Sequence, residues 1–278
     1  MSNSKFSLRT VTALVLFSLG GLACGDRDGG ELTFLGSSLW TKAHDVEIRG
    51  EMAYCAFLDG FEILDLSDPR DPKSLSQIHL GGGFAVALSG NHALVAAADK
   101  GLAVIDITDP KAPVLKSVLD TPGEARDVAA SGSVAFVADG AGGLLAVDIA
   151  DPAAPKIAGS WDSPGEATGI ALGERSLYLA DGSAGLQIVD IADPARLAPT
   201  GALDTDGTAE SVALAGDYAY VADGSGGIKV VDVALPAEPK LAMSLVAEGY
   251  AHSVSATEKL LCVGSLYDGG YQILDISN

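Results

Sequence analysis

The chain is poor in positive charge. Seventeen lysines and arginines face 37 aspartates and glutamates over 278 residues, a formal net charge of −20. Such a surface repels nucleic acid and anionic lipid, so polyanion-binding functions are set aside. Catalytic signatures are missing as well: there is no G-x-S-x-G, H-E-x-x-H, P-loop or C-x-x-C. Four histidines and three cysteines leave few side chains for metal or nucleophilic chemistry. No stretch sustains helical periodicity, and 34 glycines oppose one.

What is present is a repeat. Phe-Glu-Ile-Leu-Asp (61–65), Leu-Ala-Val-Ile-Asp (102–106), Leu-Leu-Ala-Val-Asp (144–148), Leu-Gln-Ile-Val-Asp (186–190), Ile-Lys-Val-Val-Asp (228–232) and Tyr-Gln-Ile-Leu-Asp (271–275) close on aspartates spaced 41, 42, 42, 42 and 43 residues apart. A period of this length suits a four-stranded propeller blade, which cannot bury both faces unless neighbours stack on it. The third repeat predicts strands over 125–131, 134–138, 144–149 and 156–161, separated by a Ser-Gly turn, a glycine turn (Asp-Gly-Ala-Gly-Gly, 139–143) and a proline turn (Asp-Pro-Ala-Ala-Pro, 151–155). The expected fold class is all-β, a six-bladed propeller over residues 32–278. The last repeat stops after its third strand, and residues 32–38 (Leu-Thr-Phe-Leu-Gly-Ser-Ser) resemble a fourth strand. Pairing of 32–38 with 271–276 closes the ring and removes two sheet edges.

The Asp-Gly-x-Gly-Gly turn, the L-x-I-V-D strand and the Asp-Pro-x-x-Pro turn together resemble the LVIVD-repeat family of β-propellers. The resemblance covers about residues 42–278. It implies the propeller fold and a kinship with bacterial surface and secreted proteins, mostly without an assigned activity; fold alone does not supply one. The first and sixth repeats depart from the pattern, with Phe57-Leu58 and Ser265-Leu266-Tyr267 inserted before Asp59 and Asp268. A site particular to this protein is expected there.

Residues 1–23 read as a signal peptide: Lys5 and Arg9 form a basic start, and 11–22 is apolar but short for a membrane span. Gly21-Leu22-Ala23-Cys24 resembles a lipoprotein box, with Gly21 where leucine is preferred, and predicts lipidation of Cys24 followed by a polar tether over 24–31. Plain secretion is the alternative. The two remaining cysteines, Cys55 and Cys262, fall on second strands of the first and last blades, on opposite faces, and read as buried free thiols rather than a disulfide.

Placed on the repeat map, the charge is uneven. One rim, carrying the second-to-third-strand turns and the crossovers between blades, gathers sixteen carboxylates, among them Asp139, Asp181, Asp223, Asp204 and Asp206, against Lys42, Lys100 and Arg126. The opposite rim balances ten acids, such as Asp68, Asp109 and Asp151, with ten bases. The acidic rim is expected to attract cations or basic partners, although aspartate is also simply a good turn residue. The recurring Asp65, Asp106, Asp148, Asp190, Asp232 and Asp275 read as structural carboxylates buried in apolar strands and satisfied by turn amides. The Asp-Gly aspartates read as turn caps first and ligands second.

One constellation stands out. Two residues before the first-strand valine or isoleucine lie His44, Phe84, Arg126, Thr168, Glu210 and His252 in successive blades. First strands line the channel, so these six form a ring near its acidic mouth. His44 and His252, with Asp45 and Glu210 beside them, are the candidate ligands for a divalent metal, zinc or calcium. The alternative is that both histidines hydrogen-bond to backbone. Asp204-Thr205-Asp206-Gly207 resembles only a fragment of a calcium loop. Trp40, Trp161, Tyr54, Tyr178 and Tyr220 are expected in interblade packing.

Three functions remain: an envelope-anchored binding or scaffold protein meeting a protein or glycan at the acidic rim, a metal-assisted hydrolase at the channel mouth, or a purely architectural module. The first is favoured, with no catalytic residues, no assured cofactor and a monomeric chain.

Overall fold

A computed structural model describes residues 43–267 and 270–277, and all 23 elements in them are β-strands. Blade 1 holds β1 (Ala43–Arg49), β2 (Met52–Phe57), β3 (Gly60–Asp65) and β4 (Lys73–His79). Blade 2 holds β5 (Ala85–Ser89), β6 (His92–Ala96), β7 (Leu102–Asp106) and β8 (Val114–Leu119). Blade 3 follows with β9 (Asp127–Ser131), β10 (Val134–Ala138), β11 (Leu144–Asp148) and β12 (Lys156–Trp161). Blade 4 has β13 (Gly169–Leu172), β14 (Ser176–Ala180), β15 (Leu186–Asp190) and β16 (Ala198–Leu203); blade 5 has β17 (Ser211–Ala215), β18 (Tyr218–Ala222), β19 (Ile228–Asp232) and β20 (Lys240–Leu245). Blade 6 contributes β21 (Tyr250–Ala256), β22 (Leu260–Leu266) and β23 (Gly270–Asp275). Every blade is an antiparallel meander in chain order, and first strands pack on first strands from β1 to β21. This is the six-bladed propeller that the repeat predicts.

Burial explains the strand composition. The two middle strands of each regular blade are covered on both faces, so they read as unbroken apolar runs, whereas the outer β8, β12 and β16 alternate between exposed and half-buried. Five apolar clusters each straddle one pair of neighbouring blades: Phe61 and Ile63 meet Val95 and Ile105, for instance, and Phe136 and Leu144 meet Leu177 and Leu179. Each such side chain contributes about 1.5–3 kcal/mol by leaving water. A sixth cluster, with Val46, Cys55, Phe57 and Leu64, belongs to blade 1 alone. Trp161, Tyr54, Tyr178 and Tyr220 sit in these clusters, as expected.

A second tie joins the blades at one rim. Gly140 and Ala167 exchange two backbone hydrogen bonds of 3.0 Å, and Gly182–Ala209, Gly224–Ala251 and Ala98–Ala125 repeat the exchange. To reach the next blade the turn residue adopts φ of 54–57°, which glycine does without strain. Blade 2 places Ala98 there, at φ 53°.

In the third blade, 134–138 and 156–161 form as predicted, while β9 begins at Asp127 and β11 ends at Asp148. Ala125 is given up to the interblade bridge. The recurring strand aspartates require correction. Each is the last residue of its strand and half-buried or exposed, not buried in it. Their oxygens accept the amide two residues on, Ser67 for Asp65 (2.8 Å) and Thr108 for Asp106 (3.0 Å), which tightens the corner before the proline turn. Cys55 and Cys262 are buried, and neither is in a disulfide among the described residues. Burial, with Glu62 and Asp45 nearby, pushes the Cys55 thiol well above its usual pKa. The leader 1–23, Cys24, the tether 24–31, the closing segment 32–38, Trp40, Lys42 and Asp268 lie outside the described residues.

Candidate binding site at the channel mouth

Three of the five named rim aspartates are not surface groups. Asp139, Asp181 and Asp223 are fully buried. Their Oδ1 atoms accept the hydroxyls of Thr121 (2.6 Å), Ser163 (2.5 Å) and Thr205 (2.5 Å) in the crossover entering the same blade. The second oxygens of Asp139 and Asp181 accept the Gly123 and Gly165 amides at 2.7 and 2.9 Å. Burial raises the pKa of all three carboxyls against the pull of these bonds. They are clamps between turn and crossover. The signal for them was in the sequence: a hydroxyl 18 residues before the aspartate, followed two residues later by glycine.

Blade 5 departs from this scheme. Asp206 has φ 61° and the Gly207 amide turns to the Thr205 carbonyl at 2.8 Å. Asp223 Oδ2 keeps no hydrogen bond and faces the buried Lys229 ammonium at 3.8 Å. Asp204 and Asp206 themselves are exposed. Thr205, between them, is committed to the clamp, so the Asp-Thr-Asp-Gly segment is a bracing crossover.

The six ring residues do line up, one at the inner edge of each blade, half-buried except for the exposed His252. They do not act alike. His44 stacks on Phe84 (centroids 5.1 Å apart, planes 11°) and its Nδ1 lies 2.9 Å from the Gly83 carbonyl. Asp45, one residue on, accepts the Val86 amide of the next blade at 2.8 Å. Arg126 is held between Glu124 of its own blade (3.2 Å) and Glu166 of the next (3.5 Å). Thr168 donates to the Ala209 carbonyl at 2.8 Å. Glu210 accepts the Tyr250 hydroxyl at 2.5 Å and lies 3.7 Å from His252 Nδ1. Thus Glu210 and His252 meet, whereas His44 and Asp45 are engaged with blade 2. Among the described residues no three His, Cys, Asp or Glu side chains are placed to hold a metal ion.

Arg126 and Glu210 solve the same problem with opposite charge. Each reaches the residue two before the ring position in its neighbour: Glu166 for Arg126, Tyr250 for Glu210. Tyr250 therefore stands where blades 3 and 4 have glutamate, and Glu210 raises its hydroxyl pKa. Its ring lies over Gly224, where a Cβ would come within 2.8 Å. Tyr267, in the blade 6 insertion, packs edge-on to it at 6.2 Å. Neither tyrosine is marked by a motif; only the broken repeat at 265–267 points to the second. Between Arg126 and Glu210 an open cavity of about 400 Å³ is lined by Glu166, Thr168, Ser183 and Thr208. It offers charges of both signs and hydroxyls, a lining for polar recognition.

Known proteins bear on this geometry through fold. The LVIVD repeat family matches six consecutive segments, 41–77, 81–121, 122–163, 164–205, 206–246 and 248–278. A search of curated proteins returns no match. Among solved structures, the periplasmic gluconolactonase PpgL of Pseudomonas aeruginosa is similar with a TM-score of 0.80 at 14% identity, over 96% of this chain and 90% of that one. A chain of a mitotic checkpoint complex gives 0.74 at 11% identity (92% and 87% covered), and the computationally designed Ika8 protein 0.67 at 13% (98% and 86%). At these identities the likeness is one of fold.

Proposed function

The chain belongs to the LVIVD repeat family through all six of its blades, and from that premise we propose that it is a binding protein of the bacterial cell envelope. It is exported by residues 1–23, anchored by lipid on Cys24, and takes a basic protein partner at the acidic mouth of its channel. The observation that supports this reading is the exposure of Asp120, Asp162, Asp204, Asp206 and Glu248 along that rim. Among the described residues the bases of this rim are taken up locally, Arg126 by Glu124 and Glu166 and Lys100 by Asp99. A one-signed rim of this kind speeds encounter with a cationic partner and loses its pull as salt screens it.

The test is binding of a lysine-rich peptide to the purified protein at low and high salt. Affinity should fall by about tenfold when Asp204 and Asp206 are both replaced by lysine, since each reversal near a bound cation counts for a few tenths to one kcal/mol. Indifference to the double reversal and to salt would overturn the reading. Membrane fractionation checks the anchor: Cys24→Ser should release the protein. A hydrolase working through zinc or calcium on His44, His252, Asp45 and Glu210 would require His44 to leave Gly83 and Phe84; a rise in Tm on adding either metal would revive it.

A further inference from the structure

Resting on the acidic-rim reading, we infer that Tyr267, Tyr250 and Glu210 form the cation-receiving corner of that rim, a half-cage for a lysine or arginine side chain of the partner. Four observations converge on it. First, β22 runs seven residues where β10, β14 and β18 run five. Two further residues carry β22 about 7 Å beyond the matching strands of blades 3 to 5. Second, the end of that extension is an aromatic residue in a costly place: Tyr267 has φ 60° and is 82% exposed. A bulky side chain in the left-handed region is unusual, and no burial offsets it.

Third, the two tyrosine rings stand at 81° with centroids 6.2 Å apart. Perpendicular rings that leave one face open present the negative side of a quadrupole to a cation. Fourth, a carboxylate adjoins the Tyr250 side of the corner. The Tyr250 hydroxyl donates to Glu210 Oε1, while Glu210 Oε2 lies toward the exposed His252. Aromatic faces with an adjoining carboxylate favour an alkyl-borne cation over a bare metal ion, because the faces take the methylene stem and the carboxylate takes the charge. Elsewhere the ring opposes this. In blades 3 and 4 the matching positions are acids already neutralised by Arg126. The corner in blade 6 is therefore where a partner's cation meets an open ring face beside a carboxylate whose basic neighbour is the exposed His252 and not an arginine.

The test measures binding of a labelled ten-lysine peptide to the full chain by fluorescence anisotropy at fixed low salt. Tyr267→Phe should bind within about twofold of the original. Tyr267→Leu keeps apolar area but not the quadrupole and should bind about fivefold more weakly. Glu210→Gln should weaken binding as much or more. Both Tyr267 variants sit on an exposed hairpin, and an unchanged Tm for each shows that the fold is intact. Undiminished binding by Tyr267→Leu overturns the inference; the rim reading survives that result if the Asp204→Lys, Asp206→Lys double variant still binds poorly. If the peptide binds none of the proteins, both fall. If instead a neutral tetrasaccharide such as cellotetraose binds and Tyr267→Leu abolishes it, the corner is a glycan platform and the cation assignment is wrong.

Discussion

The two rims of this propeller use aspartate in opposite ways. At the mouth, Asp139, Asp181 and Asp223 are buried, accept hydroxyls from a crossover and have pKa values raised by desolvation. At the far rim, Asp65, Asp106 and Asp275 end their strands in water, accept their own turn amides and hydroxyls, and are lowered by those bonds. Both sets recur with the repeat, so recurrence alone does not tell a clamp from a cap. What separates them is whether the partner is local or belongs to a segment 16–18 residues away. A distant partner makes the carboxylate part of how the blade is held together; a local one shapes a corner.

The largest expected effect tests that distinction directly. Asp181→Ala leaves the Ser163 hydroxyl and the Gly165 amide without their acceptor, and should cost about 2–4 kcal/mol, because each orphaned buried donor carries a desolvation penalty of about 1–3 kcal/mol. Asp148→Ala removes one exposed cap to Ala150 and should cost under about 1 kcal/mol. Urea unfolding with unchanged slope gives both numbers. Equal losses would erase the comparison between the rims.

How much of this was legible beforehand follows the same line. The blade period, the buried middle strands and the two buried cysteines are properties of pattern and were readable, since alternation and spacing determine which faces are covered. The burial of Asp181 depends on a hydroxyl from the preceding crossover, and the exposure of Asp148 on where its strand stops; neither is visible within a five-residue motif. His44 and His252 share one position in the repeat, yet position gives no rotamer. Phe84 captures one ring and Glu210 attracts the other. Tyr250 carries no such signal, because it occupies a slot that blades 3 and 4 give to glutamate and no motif marks the exchange.

The next effects concern the mouth's backbone tie. Gly182→Ala puts a methyl group at φ 54° and 3.3 Å from Glu166 backbone atoms, and should cost about 1–2 kcal/mol for the left-handed strain alone. Ala98→Gly is its mirror image: Ala98 already bears that strain at φ 53°, and glycine should relieve it for a net gain of about 0.5 kcal/mol after its greater freedom in the unfolded chain is subtracted. Thermal unfolding of the two variants should shift in opposite directions. A loss in both would mean that blade 2 tolerates alanine for a reason other than endurance of strain.

The smallest effect sharpens the comparison most, because it turns on a sign. The native Asp181 carboxyl holds its proton to higher pH than in the unfolded chain, since burial raises its pKa. Between the ordinary carboxylate value and that raised value the native state binds more protons, so stability falls as pH rises. The advantage of the original protein over Asp181→Ala should therefore be greatest in acid and shrink as pH climbs through the raised pKa. Asp106 runs the other way. The Thr108 hydroxyl and amide lower its native pKa, so the unfolded state binds more protons, and the advantage over Asp106→Ala should be full above the ordinary carboxylate value and vanish as pH drops through the lowered one. Unfolding midpoints of the three proteins, followed from neutral pH down into acid, give both slopes. Slopes of opposite sign mean that one residue type serves the two rims by opposite electrostatics; slopes of the same sign would mean that the mouth clamps are wetter than their burial indicates.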